Sequence, residues 1–186
     1  ADKAVALAAR RAAGESLGTR DLVFAAWSGE ELGLLGSERW ADENVDPHGA
    51  AAGPVAYLNF DIQGANLLPS LRDTSFAVGS ESGGPLLRQV VEAAVARAGL
   101  GTRPLSALFG QGRSAYVNFL NARVPIVFFG DSTGPCYHTA GDDVSVVDFV
   151  KLEKQSEVGF AATLALANAG AAPQFTSNPP VTFADA

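Results

Sequence analysis

Methionine is absent from the 186 residues, cysteine occurs once and histidine twice, at His48 and His138. A single thiol excludes an internal disulfide, so Cys136 is expected to stay free. Basic residues are also few: 13 Lys and Arg stand against 20 Asp and Glu, a formal net charge of −7. That deficit argues against nucleic acid or an anionic membrane surface as the main partner. No apolar run approaches the ~18 residues of a transmembrane helix. Apolar residues are not scarce, however. At 47% hydrophobic and 18% charged the chain is globular, with enough length for one sizeable core. The lack of methionine, and an opening "ADKAVALAARRAAGESLG" that starts in a helical pattern with no leader, read as a piece of a longer product.

Along the chain, Ala4, Val5, Ala8 and Ala12 share a helical face that Gly14 or Gly18 would end. Asp21–Trp27 ("DLVFAAW") reads as a short buried strand, and a helix is expected over about Gly33–Asn44. Val55–Asp61 and Thr74–Ser80 read as two further strands. Pro85 and Gly99 bracket a helix with the stripe Leu86, Leu87, Val90, Val91, Ala94, Val95. A short helix near Arg113–Asn121 precedes a strand over Val124–Gly130. The last helix is expected to bury a side running from Phe149 and Leu152 to Leu164 and Ala167. From Ala171 the Pro-rich "AAPQFTSNPPVTFADA" reads as an exit tail, residues 171–186. Strands alternating with helices predict an α/β layered domain on a mostly parallel sheet, whose ligands gather at the carboxyl ends of strands.

Acids stand at two of those ends. Glu30 and Glu31 follow the first strand, and Asp61 closes "YLNFD". Ser28-Gly29-Glu30-Glu31 also fits a capping box, the commoner reason for such a pair. An acid ending a buried strand needs a partner, because an unpaired buried charge is costly. His138 sits in "GPCYHTAGDD" after another strand, while His48 in a polar loop reads as plain solvent exposure. Glu, Asp and His together make a plausible oxygen/nitrogen zinc set, and a carboxylate next to a ligand suits a general base.

"VFAAWSGEELGLLGS", "YLNFDIQG", "GRSAYVNF" and "VPIVFFGDSTGPCYHTAGDD", in that order, resemble the two-zinc aminopeptidases of secreted bacterial enzymes. Their wider superfamily includes glutamate carboxypeptidases, glutaminyl cyclases and the silent transferrin-receptor domain. The resemblance covers roughly residues 1–168, so it implies a catalytic domain over 1–170 and a three-layer α/β/α sandwich with a mostly parallel mixed sheet whose first strands lie upstream. It implies that Glu30 is the general base acting on a zinc-bridging water. It makes Glu31 and His138 ligands of one zinc (Zn2+) and Asp61 a ligand of the other. Tyr137 would donate to the oxyanion, a charge present only in the transition state. Arg113 would hold a substrate backbone oxygen, although an ordinary helix-start arginine fits as well. Phe128 and Phe129 would wall the substrate pocket, with core packing expected for at least one of them.

The implied substrates are peptides with a free N-terminus, and the implied address is extracellular or periplasmic. Two family ligands, a histidine from a His-x-Asp segment and a bridging aspartate, have no counterpart in these residues. The resemblance therefore puts three of five ligands here, with the upstream segment as a partner and weak or single-metal binding expected of this chain alone. A glutaminyl cyclase using one zinc is a second reading, although "EELGLLGS" fits aminopeptidases better. A non-catalytic binding domain is a third, against which Glu30, Glu31, Asp61, Tyr137 and His138 occur together.

Overall fold

The computed structural model of the protein describes residues 2–15, 18, 20–46, 53–179 and 181, without the side chains of residues 2–4. Four strands form one sheet in the order β1-β4-β2-β3, with β1 at Tyr57–Phe60, β2 at Thr74–Val78, β3 at Gly101–Leu105 and β4 at Ile126–Gly130. β1 pairs parallel with β4 and β2 parallel with β3, while β2 and β4 run antiparallel. The sheet is therefore mixed, and helices flank both faces. The helices are α1 Asp2–Ala12, α2 Leu35–Asn44, α3 Gly84–Val95, α4 Tyr116–Asn121 and α5 Phe149–Asn168.

The consecutive apolar residues of β4 explain its central place, since a strand covered on both faces has no polar side to offer. Val127 and Phe129 join a core with Leu87, Val91, Val158 and Ala162 of α3 and α5. Ile126 packs instead with Tyr116 and Phe119 of α4, bordered by Trp27, Trp40 and Phe128. β3 was not expected from the sequence; Pro104 within it forfeits a ladder donor, which an edge strand tolerates.

Several expectations are corrected. Asp21–Trp27 forms no strand: most of it is exposed, Val23 by 73%, because no strand lies beside it to pair with. Its start is pinned differently, through Arg20 Nη1 donating to the Leu166 and Ala169 carbonyls (2.7 and 2.5 Å) at the end of α5. On α1 the buried residue is Leu7, while Val5, Ala8 and Ala12 face outward. α5 buries Lys151 and Gln155 among its apolar residues and leaves Phe149 exposed, so periodicity alone misplaced its inner face. In the described part of the tail, Thr176 N–H donates to Ser82 O (2.8 Å), and Arg123 lies over the Phe175 ring at 5.2 Å. His48 and its loop lie outside the described residues.

Asp148 caps α5, with Oδ1 accepting from Lys151 N–H (3.1 Å) and Oδ2 from Asn66 Nδ2 (2.9 Å) and Arg72 Nε (3.0 Å). The bond from Lys151 N–H, then that from Asn66, hold its carboxyl below the usual aspartate range despite partial desolvation. As pH falls the unfolded chain takes up this proton first, so the stabilisation is present above the ordinary aspartate value and is lost as pH drops through the lowered one. Asp148→Ala is expected to cost about 1 kcal/mol at neutral pH. Urea unfolding should show the deficit shrinking in acid; a pH-independent deficit would assign Asp148 to packing alone.

Candidate active site

The two glutamates sit in a turn ahead of α2, not in its first helical turn. Leu35 N–H donates to Gly29 O (3.2 Å) and Gly36 N–H to Ser28 O (3.0 Å), folding the segment back on itself. A Cβ at Gly36 would lie 2.7 Å from Ser28 O, which is why this turn takes glycine there. The residue preceding the helix is Leu34, at φ 63° and with no side-chain cap bond. The capping-box reading of Ser28 and Glu31 is thereby corrected. Freed from that task, Glu31 reaches His138, with Oε1 and Nε2 3.1 Å apart.

The His138 ring stacks on Tyr137 with centroids 3.9 Å apart. Leu34, Ile62, Ser132 and His138 all hold left-handed backbone at φ 52–73° without being glycine. Such strain persists only where the surroundings enforce it, and it gathers at functional sites. Glu30 stands close enough to feel the other groups. Burial, then the charges of Glu31 and Asp61, push its carboxyl above the usual glutamate value, with His138 opposing.

Asp61 follows β1, where its N–H donates to Phe129 O (3.3 Å). β4 can approach this closely because it ends on glycine: a Cβ at Gly130 would come within 2.7 Å of Asp61 O. The Asp61 carboxylate ends a one-way hydrogen-bond chain. Trp27 Nε1 donates to Tyr57 Oη (2.9 Å), Tyr57 Oη to Asn59 Oδ1 (2.9 Å), Asn59 Nδ2 to Ser114 Oγ (2.8 Å) and Ser114 Oγ to Asp61 Oδ2 (2.8 Å). Asn59 and Ser114 are buried, and donors aligned towards a charge polarise one another. Burial first, then the charge of Asp61, raises the Tyr57 phenol against the Trp27 bond, which keeps it a donor. The sequence reading missed this chain, although Asn59, polar within a buried strand, was a signal for it.

A cavity of about 1230 Å³ opens beside these groups and is lined by Glu30, Glu31, Asp61, Arg113, Tyr137 and Phe128 among others. Phe129 is not on its wall; the side chain is 4% exposed and packs in the core under α3 and α5, which corrects its assignment to the pocket. Strand alternation sends Phe128 and Phe129 to opposite faces.

Zinc takes carboxylate and imidazole donors, and catalytic sites use three protein ligands. Glu31 and His138 fit zinc in kind and already touch. Among the described residues, however, no three His, Cys, Asp or Glu converge as a cage, and Asp61 stands apart from the pair. Glu31 and His138 are thus two donors of a suitable kind, one short of the three that a catalytic zinc takes.

An α/β domain with Asp61 directly after β1, His138 in the loop after β4 and paired glutamates in the turn before α2 is the class that this fold and site define. Residues 3–163 match peptidase family M28, and the chain belongs to that family. A curated relative, a probable glutamate carboxypeptidase AMP1 of Arabidopsis thaliana, is 46% identical over 48 residues, 25% of this chain and 6% of that protein. Among solved structures, the Legionella pneumophila LapA aminopeptidase matches with TM-score 0.63 and 17% identity over 77% of this chain and 38% of that one. The Bacillus subtilis zinc aminopeptidase BSAP matches with TM-score 0.60 and 19% identity over 82% and 38%. An aminopeptidase from Aneurinibacillus sp. strain AM-1 matches with TM-score 0.59 and 18% identity over 84% and 35%. The fold is shared with these enzymes, and the chain spans less than two fifths of each.

Proposed function

We propose that the chain carries the Glu-Glu, Asp and Tyr-His parts of a zinc-dependent aminopeptidase that hydrolyses the N-terminal bond of peptides. The observation that carries this reading is the contact of Glu31 with His138 at 3.1 Å, with Glu30 beside it on the wall of an open cavity. Glu31 and His138 would hold one zinc and Asp61 a second, the remaining ligands coming from outside these residues. The metal, when bound, would polarise the scissile carbonyl and make water a stronger acid.

The protein groups then divide the work. Glu30 takes the proton of the attacking water, a task suited to a carboxyl whose affinity for protons is raised. Tyr137 donates its phenol to the oxygen that becomes negative in the transition state. Arg113, on the cavity wall, holds a substrate backbone oxygen, and Phe128 contacts the first side chain. The reading includes an address outside the cytoplasm, which rests on the resemblance to secreted enzymes; no helix among the described residues is long and apolar enough to cross a membrane.

The test compares an aminoacyl-anilide with its N-acetylated form, using polypeptide that supplies the remaining ligands and residues 1–186 alone as control. Turnover is expected only with the free amine and only in the complemented protein. Cleavage of the blocked substrate would refute exopeptidase action, and two tightly bound zincs on residues 1–186 alone would refute the ligand assignment. Tyr137→Phe should lower kcat with little change in KM, because its bond forms only in the transition state. A pure KM effect would make Tyr137 a ground-state contact.

A further inference from the structure

One buried ion pair lies outside the site and has no part in the chemistry above. Lys151 of α5 and Asp131, directly after β4, are 2% and 3% exposed, with Nζ and Oδ1 2.9 Å apart. A buried pair is weak evidence for stability, since desolvation cancels much of the attraction. Its contacts suggest another use.

Asp131 Oδ2 accepts from Ala65 N–H (2.9 Å), and Asp131 N–H donates to Ile62 O (2.9 Å), so this one residue ties the start of its own loop to the loop that follows Asp61. Lys151 Nζ donates to Ala65 O (2.7 Å) and Leu71 O (3.2 Å), both in the segment that follows Asp61. Gln155, one turn further along α5 and also buried, accepts from Gly64 N–H (2.7 Å) through Oε1. Its Nε2 donates to Asp131 Oδ1 and Ser75 Oγ, both at 2.8 Å. Apart from the bond to Ser75 of β2, these contacts join α5 to two loops. The first begins at Asp61, and the second runs from Asp131 to Tyr137 and His138.

We infer that Asp131, Lys151 and Gln155 are positioning residues that clamp the Asp61 loop and the Tyr137–His138 loop to each other and to α5. Beyond the backbone bond from Asp131 N–H to Ile62 O the two irregular loops have no ladder to set their spacing. Charges and a primary amide held without water can set it, since each misplacement leaves a buried polar group unpaired. The clamp would set the separation of the two loop starts, where Asp131 N–H meets Ile62 O and Ile62 and Ser132 hold left-handed backbone. The inference rests on reading these loops as the two halves of the site, but its test needs neither metal nor substrate.

Native-state amide exchange is measured on the whole chain and on the charge-balanced double variant Lys151→Met with Asp131→Asn. The reporters are Asp61 N–H, bonded to Phe129 O, and Tyr137 N–H, bonded to Gly134 O, neither of which touches the clamp. Gly79 N–H, buried and bonded to Leu105 O at the end of the β2–β3 ladder, is the reference amide away from the clamp. Exchange at Asp61 and Tyr137 should quicken at least about tenfold while Gly79 moves much less, the signature of local release. Unchanged rates, or a common factor at all three amides, would overturn the clamp and leave the pair a purely structural element. Should the double variant fail to fold, Gln155→Met keeps the ion pair while cutting the bonds to Gly64, Ser75 and Asp131. The same contrast is then expected at smaller size, and its absence would again overturn the inference.

Discussion

Glu30→Gln in the complemented enzyme is expected to leave zinc content close to that of the parent while lowering turnover at least ~10²-fold, the usual scale for loss of a general base. The neighbouring Glu31→Gln should instead reduce bound metal. The asymmetry follows from the turn: Glu31 points its carboxylate at His138, whereas Glu30 is tuned by burial and by the charges of Glu31 and Asp61. Because a base must be ionised to accept a proton, kcat/KM should rise with pH along a limb that vanishes in Glu30→Gln. Zinc analysis with a pH–rate profile decides the matter. Equal metal loss in the two variants would refute the division of labour.

Lys151→Met alone is expected to destabilise the fold by ~3–5 kcal/mol, because removal of one partner leaves the other charge buried without compensation. For a chain of this size that corresponds to a melting temperature lower by roughly 10 °C. Asp131 is 3% exposed and its bonds from Ala65 and Gln155 remain, but neither carries a positive charge. Adding Asp131→Asn to Lys151→Met should recover much of the loss, since a neutral amide no longer needs an ion. Calorimetry of the two variants checks this; a single variant within 1 kcal/mol of the parent would mean that water reaches Asp131 freely.

The parts of the fold legible in the sequence are those whose signal is local. Val124–Gly130 announces a covered strand by an unbroken apolar run, and Pro85 begins a helix whose stripe recurs at helical spacing. The run Asp21–Trp27 carried the same apolar signal as β4 and became no strand, because a strand exists only with a partner beside it. α5 was misread for a related reason. Its inner face holds Lys151 and Gln155, which look like solvent residues until Asp131 and the Gly64 amide are seen facing them. Phe128 and Phe129 are chemically alike, and only the sheet's two faces divide them between cavity and core.

By itself the sequence determined the residue types and their order: paired glutamates after one apolar run, Asp61 closing a second, Tyr137 and His138 after a third. The proposed chemistry would use that carboxylate, imidazole and phenol, and such residue types are written one position at a time. The tertiary structure alone decided which of them meet. It brought Glu31 onto His138 across more than a hundred residues, left Asp61 at the end of a hydrogen-bond chain from Trp27, and turned Lys151 inward to Asp131. Contacts of that kind depend on strand pairing and on burial, which set the strength of every charge involved and which no local pattern encodes.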